Sequence, residues 1–430
     1  MVRAKVETPI RSKALILGLL VAALTTLSLM LTAGPAHAED FTVTNALDSG
    51  GGSLRQAILD ANDNEGADTI KFNIPVEAVH TISPTSELPT ITEAVIIDGY
   101  SQPGSEPNTR QSGANDAVIL TELSGINAGS GADGLDIGAS GVVVRGLAIN
   151  RFSNNGIRVT AGTGARIEGN YIGTDASGTI DRGNADDGVD VEGAREVTTG
   201  GILSGQRNLI SDNNGDGIEL AGGLNKVQGN LIGVERDGST IIGGSDVGVK
   251  IFSAKNTVGG TEPGAANTIA FNLEDGVGLN GFASTAGNRI LSNSIFENDL
   301  GIDLGGDGRT LNDPKDRDSG PNTLQNFPVL TSVKTSEVGT TTIDGTLDST
   351  PSTRKKKRSF TIQFFSSPPG EDEGKTFLGQ TKVRTNRQGK ASFSFELTRT
   401  FPGGDRITAT ATGPGGNTSE FSDPLGITSD

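Results

Sequence analysis

Gly134-Leu-Asp-Ile, Gly156-Ile-Arg-Val, Gly188-Val-Asp-Val, Gly217-Ile-Glu-Leu, Gly248-Val-Lys-Ile, Gly276-Val-Gly-Leu and Gly301-Ile-Asp-Leu are seven copies of one pattern, spaced 22 to 32 residues apart. Each is a glycine followed by two apolar residues that flank a third position. Period-two alternation over so few residues is a short strand with one buried face. A single strand of that length cannot bury its apolar side, but a stack of them shares one interior, so the repeat predicts a solenoid. The copies carry a finer grain. Gly169-Asn-Tyr-Ile-Gly173 returns as Gly229-Asn-Leu-Ile-Gly233, and Gly200-Gly201 returns as Gly259-Gly260. Two coils of about 30 residues therefore form one double repeat, with longer loops alternating between two sites.

Composition agrees with a turn-rich β architecture. The 430 residues contain 62 glycines and only 33% apolar residues, with no cysteine, so neither disulfides nor thiolate metal sites exist. Residues 1–38 read as a secretory signal peptide: Arg3, Lys5, Arg11 and Lys13 form a basic region, Leu15 to Leu31 an apolar region, and Ala36-His37-Ala38 a cleavage pattern. An uncleaved anchor is the alternative, because the apolar stretch is about 17 residues long. The expected product is secreted, extracellular or at the cell surface, with no membrane contact after cleavage. Residues 39–430 carry 31 basic and 51 acidic side chains, a net charge near −20 that disfavours nucleic acid and favours divalent cations.

Within residues 39–304, the reading is a parallel β-helix with an N-terminal cap. Ser53-Leu-Arg-Gln56 fits a capping box, with Gln56 reaching back to Ser53. Leu54, Ala57, Ile58 and Ala61 follow at helical spacing, so a helix over 53–62 is expected to cover the open end of the stack, with Arg55 in a structural role. Residues 305–326 form an acidic linker. From Phe327 to Asp430, five alternating segments (340–347, 360–365, 376–384, 391–397 and 406–412) predict a small β-sandwich of immunoglobulin-like type. The fold class is thus all-β: a right-handed parallel β-helix solenoid with a capping helix, followed by a sandwich.

Gly52-Ser-Leu-Arg-Gln-Ala57, the Gly-Asn-x-Ile-Gly and Asp-Gly-Val/Ile repeats, Asn326-Phe-Pro-Val329 and Ala409-Thr-Ala-Thr with Gly416-Asn-Thr-Ser-Glu-Phe421 are similar to a bacterial group of secreted β-helix proteins. That group belongs to the pectate-lyase-like superfamily and is marked by an N-terminal C-S-L-R-E-A-type motif. Glycine here replaces the motif's cysteine and glutamine its glutamate. The resemblance spans the chain after the signal and implies the architecture. It implies no defined reaction, since the fold hosts lyases, hydrolases and binders alike.

The position between the paired apolar residues runs Asp136, Arg158, Asp190, Glu219, Lys250, Gly278 and Asp303, a file of charges if the coils stack in order. Read as catalysis, carboxylates hold calcium and Arg158 or Lys250 abstracts a proton from a uronic acid, as in pectate lyases. Read as structure, opposite charges on neighbouring strands pair. A glycosidase needs two carboxyls across the scissile bond, and Asp186, Asp187 and Asp190 are the densest acids. His80 is the only histidine beyond the signal and reads as a surface or packing residue. Neutral sugars are usually held by Trp or Tyr, and the chain has no Trp and two Tyr, which leaves acidic polymers as the better-suited glycans. Asn170, Asn208, Asn230, Asn267 and Asn288 recur near coil bends, where amides stack in ladders. For metal, Asp303, Asp307, Asp313, Asp316 and Asp318, with Asn312 and Asn322, offer hard oxygens suited to calcium as the one candidate cofactor. Arg354-Lys-Lys-Lys-Arg358 reads as a solvated hairpin loop or a grip for an anionic wall polymer.

These readings converge on a non-catalytic binding or scaffold protein contacting an extracellular polysaccharide or cell-wall polymer. The alternatives are a calcium-dependent polysaccharide lyase or glycoside hydrolase acting on an acidic glycan, and a passive surface spacer.

Overall fold

The computed structural model describes Met1, residues 37–401 and residues 403–429. Apart from Met1, His37 and Ala38, the expected signal peptide lies outside the described residues. The chain winds as a right-handed parallel β-helix whose short strands line up in three sheets of nine, eight and seven strands. The seven-strand sheet contains the repeat: Leu135–Ile137, Ile157–Val159, Val189–Val191, Ile218–Leu220, Val249–Ile251, Asp275–Leu279 and Leu300–Leu304, stacked in sequence order. Its apolar residues point inward; Leu135, Ile157, Val189, Ile218, Val249 and Val277 are each at most 1% exposed. At about 25 cal/mol per Å² of apolar surface, that continuous interior is the main force holding the stack.

The repeat glycine is required by close approach rather than by backbone angle. A Cβ built on Gly156 would lie 2.7 Å from the Gly188 carbonyl oxygen, and one on Gly188 would lie 2.6 Å from that of Gly217. The same contact recurs from Gly217 to Gly248 and from Gly248 to Gly276, both at 2.6 Å. Any side chain there would push neighbouring coils apart.

Asparagines tie the coils at their bends in separate ladders. Asn170 donates to Asn208, Asn208 to Asn230, Asn230 to Asn267 and Asn267 to Asn293, through Nδ2–Oδ1 bonds of 2.9 to 3.3 Å. Asn288 belongs to a different ladder: the backbone N–H groups of Asn225, Asn256 and Asn288 donate to the side-chain oxygens of Asn256, Asn288 and Asn322.

The helix Leu54–Asp63 buries Leu54, Ala57, Ile58 and Ala61 against the first coil. Ser53 Oγ accepts the Gln56 N–H, but the reciprocal half of the capping box is not made. Gln56 Nε2 instead donates to Asp60 Oδ1 at 2.7 Å, one helical turn on, while Ser53 N–H donates to Gly50. Arg55 stitches this cap to the following loop, donating to Asp48 Oδ1, Glu87 O and Ser86 O at 2.7 to 2.9 Å. Its side chain is 16% exposed. Arg55→Ala is expected to lower unfolding stability by about 1 kcal/mol, since three charge-assisted hydrogen bonds are lost but two of their acceptors are exposed to water. Urea unfolding checks this, and an unchanged midpoint would remove Arg55 from the cap.

The C-terminal residues form two four-stranded sheets packed around Phe360, Ile362, Phe364, Ile407 and Ala409. Of the basic run Arg354–Arg358, the first four residues are exposed and Arg358 is half-buried. The run joins Thr340–Asp348 to Ser359–Ser367, strands that lie in different sheets, so it is a crossover rather than a hairpin loop. This sandwich closes the solenoid's far end. Phe365 and Phe421 join the solenoid core, Glu373 accepts from Asn298, and Glu420 accepts the backbone N–H groups of Leu304 and Thr310. The end of the 305–326 segment is packed into this junction: Asn322 is 0% exposed and donates to Asn288 O and Thr418 O.

Candidate functional site

The strand register brings the outward file together. Asp136 lies beside Arg158, Arg158 beside Asp190, Asp190 beside Glu219, Glu219 beside Lys250, Lys250 beside Gly278, and Gly278 beside Asp303. A second file runs alongside, at the residue before each repeat glycine: Asp133, Asn155, Asp187, Asp216, Val247, Asp275 and Leu300. The first four side chains of this second file hook the next coil. Asp133 Oδ1 accepts Asn155 N–H, Asn155 Oδ1 accepts Asp187 N–H, Asp187 Oδ1 accepts Asp216 N–H, and Asp216 Oδ1 accepts Val247 N–H, at 2.6 to 3.0 Å. At those four positions the short Asp or Asn side chain reaches the backbone N–H of the next coil; Val247 and Leu300 make no such bond.

Where the two files meet, one carboxylate oxygen each from Asp187, Asp190 and Glu219 lies within 4.8 Å of the others. Calcium binds oxygen at 2.3–2.6 Å, so two ligands across one ion lie about 5 Å apart, and this triad has that dimension. Asp190 Oδ1 is fully shielded and has no hydrogen-bond partner. A buried carboxylate oxygen left without a donor is costly, and a cation would satisfy it. Burial, reinforced by neighbouring carboxylates, pushes Asp187 up to about 8, Asp190 to about 6 and Glu219 to about 7. The pressure extends along the file, where burial raises Asp216, on the coil of Glu219, to about 6 and Asp275, two coils on, to about 7.

Two cations flank the triad. Arg158 is committed: it bonds Glu192 and lies 3.7 Å from Asp190 and 3.9 Å from Asp133, and the Glu192 bond raises its pKa. A guanidinium so held is a binding group rather than a base. Lys250 is 15% exposed, with Glu274 at 4.0 Å as its ion-pair partner. Asp136 stands apart from the triad, accepting from Thr90 Oγ1 at 2.6 Å.

Of the five aspartates considered for metal, Asp313, Asp316 and Asp318 converge, with one oxygen of each within 4.8 Å. Asp316 is oriented by Asn326 N–H and Ser349 Oγ, and Asp318 Oδ1 is buried without a hydrogen-bond partner. Asp303 and Asp307 are outside this group. Asp303 ends the solenoid by accepting the Gly306 and Gly308 N–H groups. His80 bonds the Val76 carbonyl.

Asp216 and Asp275 were not singled out by the strand alternation, because they precede the repeated glycine rather than follow it. Their signal was available in the recurring acid or amide at that one position.

By sequence, no family model matches this chain, and no curated protein matches it. Among solved structures it is similar to the Dettilon tailspike protein gp208, at 13% identity and TM-score 0.29 over 86% of this chain and 90% of that one. It is also similar to ORF18 of Geobacillus virus E2, at 12% identity and TM-score 0.28 over 91% and 80%. A further likeness is tailspike protein 2 of Escherichia coli O157:H7 bacteriophage CAB120, at 10% identity and TM-score 0.19 over 88% of this chain and 62% of that one. These likenesses carry no residue correspondence, and the sites are built from this chain's own residues.

Proposed function

We propose that this chain is an extracellular binding and scaffold protein that holds an acidic polysaccharide on the seven-strand sheet through a calcium ion. The observation carrying this reading is the Asp187–Asp190–Glu219 triad, three carboxylates at calcium-ligand spacing with one orphaned oxygen. Calcium supplies a bridge between these carboxylates and those of the ligand, while Arg158 and Lys250 offset ligand charge on either side. Binding is favoured over cleavage because Arg158, already paired with Glu192, is no proton acceptor. The second reading, a calcium-dependent lyase, rests on Lys250, a shielded amine next to Glu219 in the register. Asp313, Asp316 and Asp318 would hold a second, structural calcium at the junction.

Calcium titration by calorimetry, with retention on polygalacturonate followed alongside, tests this. Two ions per chain are expected, with one lost and calcium-dependent retention abolished in the Asp190→Asn/Glu219→Gln variant. No calcium binding at the triad, or retention unaffected by the variant, overturns the proposal. Appearance of unsaturated uronate would replace binding with the lyase reading and make Lys250 the first residue to change.

A further inference from the structure

The molecule's charge is sharply divided. Residues 39–326 carry 18 basic and 40 acidic side chains, whereas residues 327–430 carry 13 basic and 11 acidic ones. Where the two parts meet, away from the seven-strand sheet, a cleft of about 440 Å³ opens between them. One wall is the end of the nine-strand sheet, with Arg289 and Leu291; the other is the sandwich sheet, with Ser359, Thr361, Gln380, Lys382 and Thr412. Its size falls in the range of small-ligand sites, which favour domain boundaries.

The walls are arranged rather than incidental. Lys382, Thr361 and Thr412 stand side by side on three adjacent strands, because Thr361 pairs with both neighbours in register. At the base of the cleft, buried Gln363 donates to Ser292 Oγ and to Gln380 Oε1, both at 3.0 Å, which fixes the Gln380 amide and the distance between the walls. Across the gap, a Cβ on Gly416 would come within 3.2 Å of the Arg289 guanidinium, so glycine makes room for that side chain. Neither Arg289 nor Lys382 has an ion-pair or hydrogen-bond partner for its charged group among the described residues. Both side chains are exposed at the cleft mouth, so in a strongly acidic chain they offer two solvated cations to an incoming anion.

The remaining lining narrows the class. Hydroxyls and a fixed amide suit a hydroxyl-rich ligand, and no aromatic side chain lines the cleft to stack a nucleobase. We propose that this cleft binds an acidic oligosaccharide without a metal ion, its acid groups held by Arg289 and Lys382 and its hydroxyls by Ser359, Thr361, Gln380 and Thr412. The site is independent of the calcium-bridged one.

The test is calorimetric titration of the purified protein with an oligogalacturonate in excess chelator, which silences the calcium-dependent site. Binding that weakens with added salt is expected, falling roughly tenfold for each of Arg289→Gln and Lys382→Gln. Asp190→Asn/Glu219→Gln should leave it unchanged, which separates failure here from failure at the triad. Thr361→Val is expected to lower affinity for the saccharide without lowering that for inorganic polyphosphate. No binding in chelator, affinity unchanged from the native chain in the cation variants, or polyphosphate binding as tightly as the saccharide would each overturn the proposal.

Discussion

Replacing Asn230 by leucine is expected to destabilise the protein by about 4 kcal/mol, although the two side chains have nearly the same size. Asn230 is 1% exposed and sits in the middle of its ladder. Its Nδ2 donates to Thr199 O at 2.9 Å and to Asn267 Oδ1 at 3.1 Å. Its Oδ1 accepts both the backbone N–H and the side-chain amide of Asn208, at 3.3 and 2.9 Å. Leucine removes all four bonds and leaves three buried partner residues on the two neighbouring coils unsatisfied, each unsatisfied group costing about 1–3 kcal/mol before relaxation. Collapse cannot repair this, because Gly200 closes the site; its Cβ would lie only 2.4 Å from Asn230 Oδ1. A solenoid transmits the damage to its neighbours through coil–coil contacts, so urea unfolding should also become less cooperative. A loss below about 1 kcal/mol would mean that water replaces the amide, and the ladder would not be a principal stabilising element.

The same ladder shows what could be read from residues alone. Asn170, Asn208, Asn230 and Asn267 follow a fixed place in the double repeat, and they do stack. Asn288 shares their spacing but occupies another bend, which only the winding of the coils distinguishes. The outward file was legible for a related reason: strand alternation fixes which residues face out, and a strict repeat fixes their neighbours. Asp187 was visible as part of an acidic group. Its meeting with Glu219 depends on how two files converge, which a one-dimensional pattern does not encode. The closing of the far end was less legible still. Phe365 and Phe421 read as residues of a separate sandwich, yet both pack into the solenoid's interior. Gln56 shows a local motif losing to a competitor, since Asp60, one turn along, captures the amide that the capping box would use.

Stability is expected to fall as pH rises from about 4 to about 8, and calcium is expected to restore it at the upper end. The carboxyls of Asp187, Asp190 and Glu219 have folded-state values raised to about 8, 6 and 7, burial being the first cause in each. A raised acid folds best when protonated. Its contribution is complete below the unfolded value near 4 and is lost as pH climbs through the folded value. For Asp187, 7% exposed, the span from 3.8 to about 8 corresponds to a loss on the order of 5 kcal/mol. Glu373 and Glu420, which join the sandwich to the solenoid, are raised by burial to about 7 and act in the same window. These junction acids have no part in the triad, so calcium should not remove their share of the slope. Calcium at a hundredfold excess over its dissociation constant should return about 2.7 kcal/mol at pH 8 and much less at pH 5, where protons occupy the same oxygens. The Asp190→Asn/Glu219→Gln variant should unfold later than the native chain at pH 8 without calcium, because two buried charges are gone, and should gain less from the ion. Thermal unfolding of both proteins at pH 5 and pH 8, with calcium or chelator, separates these effects. A native chain most stable at pH 8 in chelator would show that the triad is solvated, and a calcium response equal in both proteins would place the ion elsewhere. The expected pattern has a functional consequence: the triad gives up its protons and gains its cation over the same pH range, so glycan retention through it should strengthen from pH 5 to pH 8 while binding in the cationic cleft stays nearly constant.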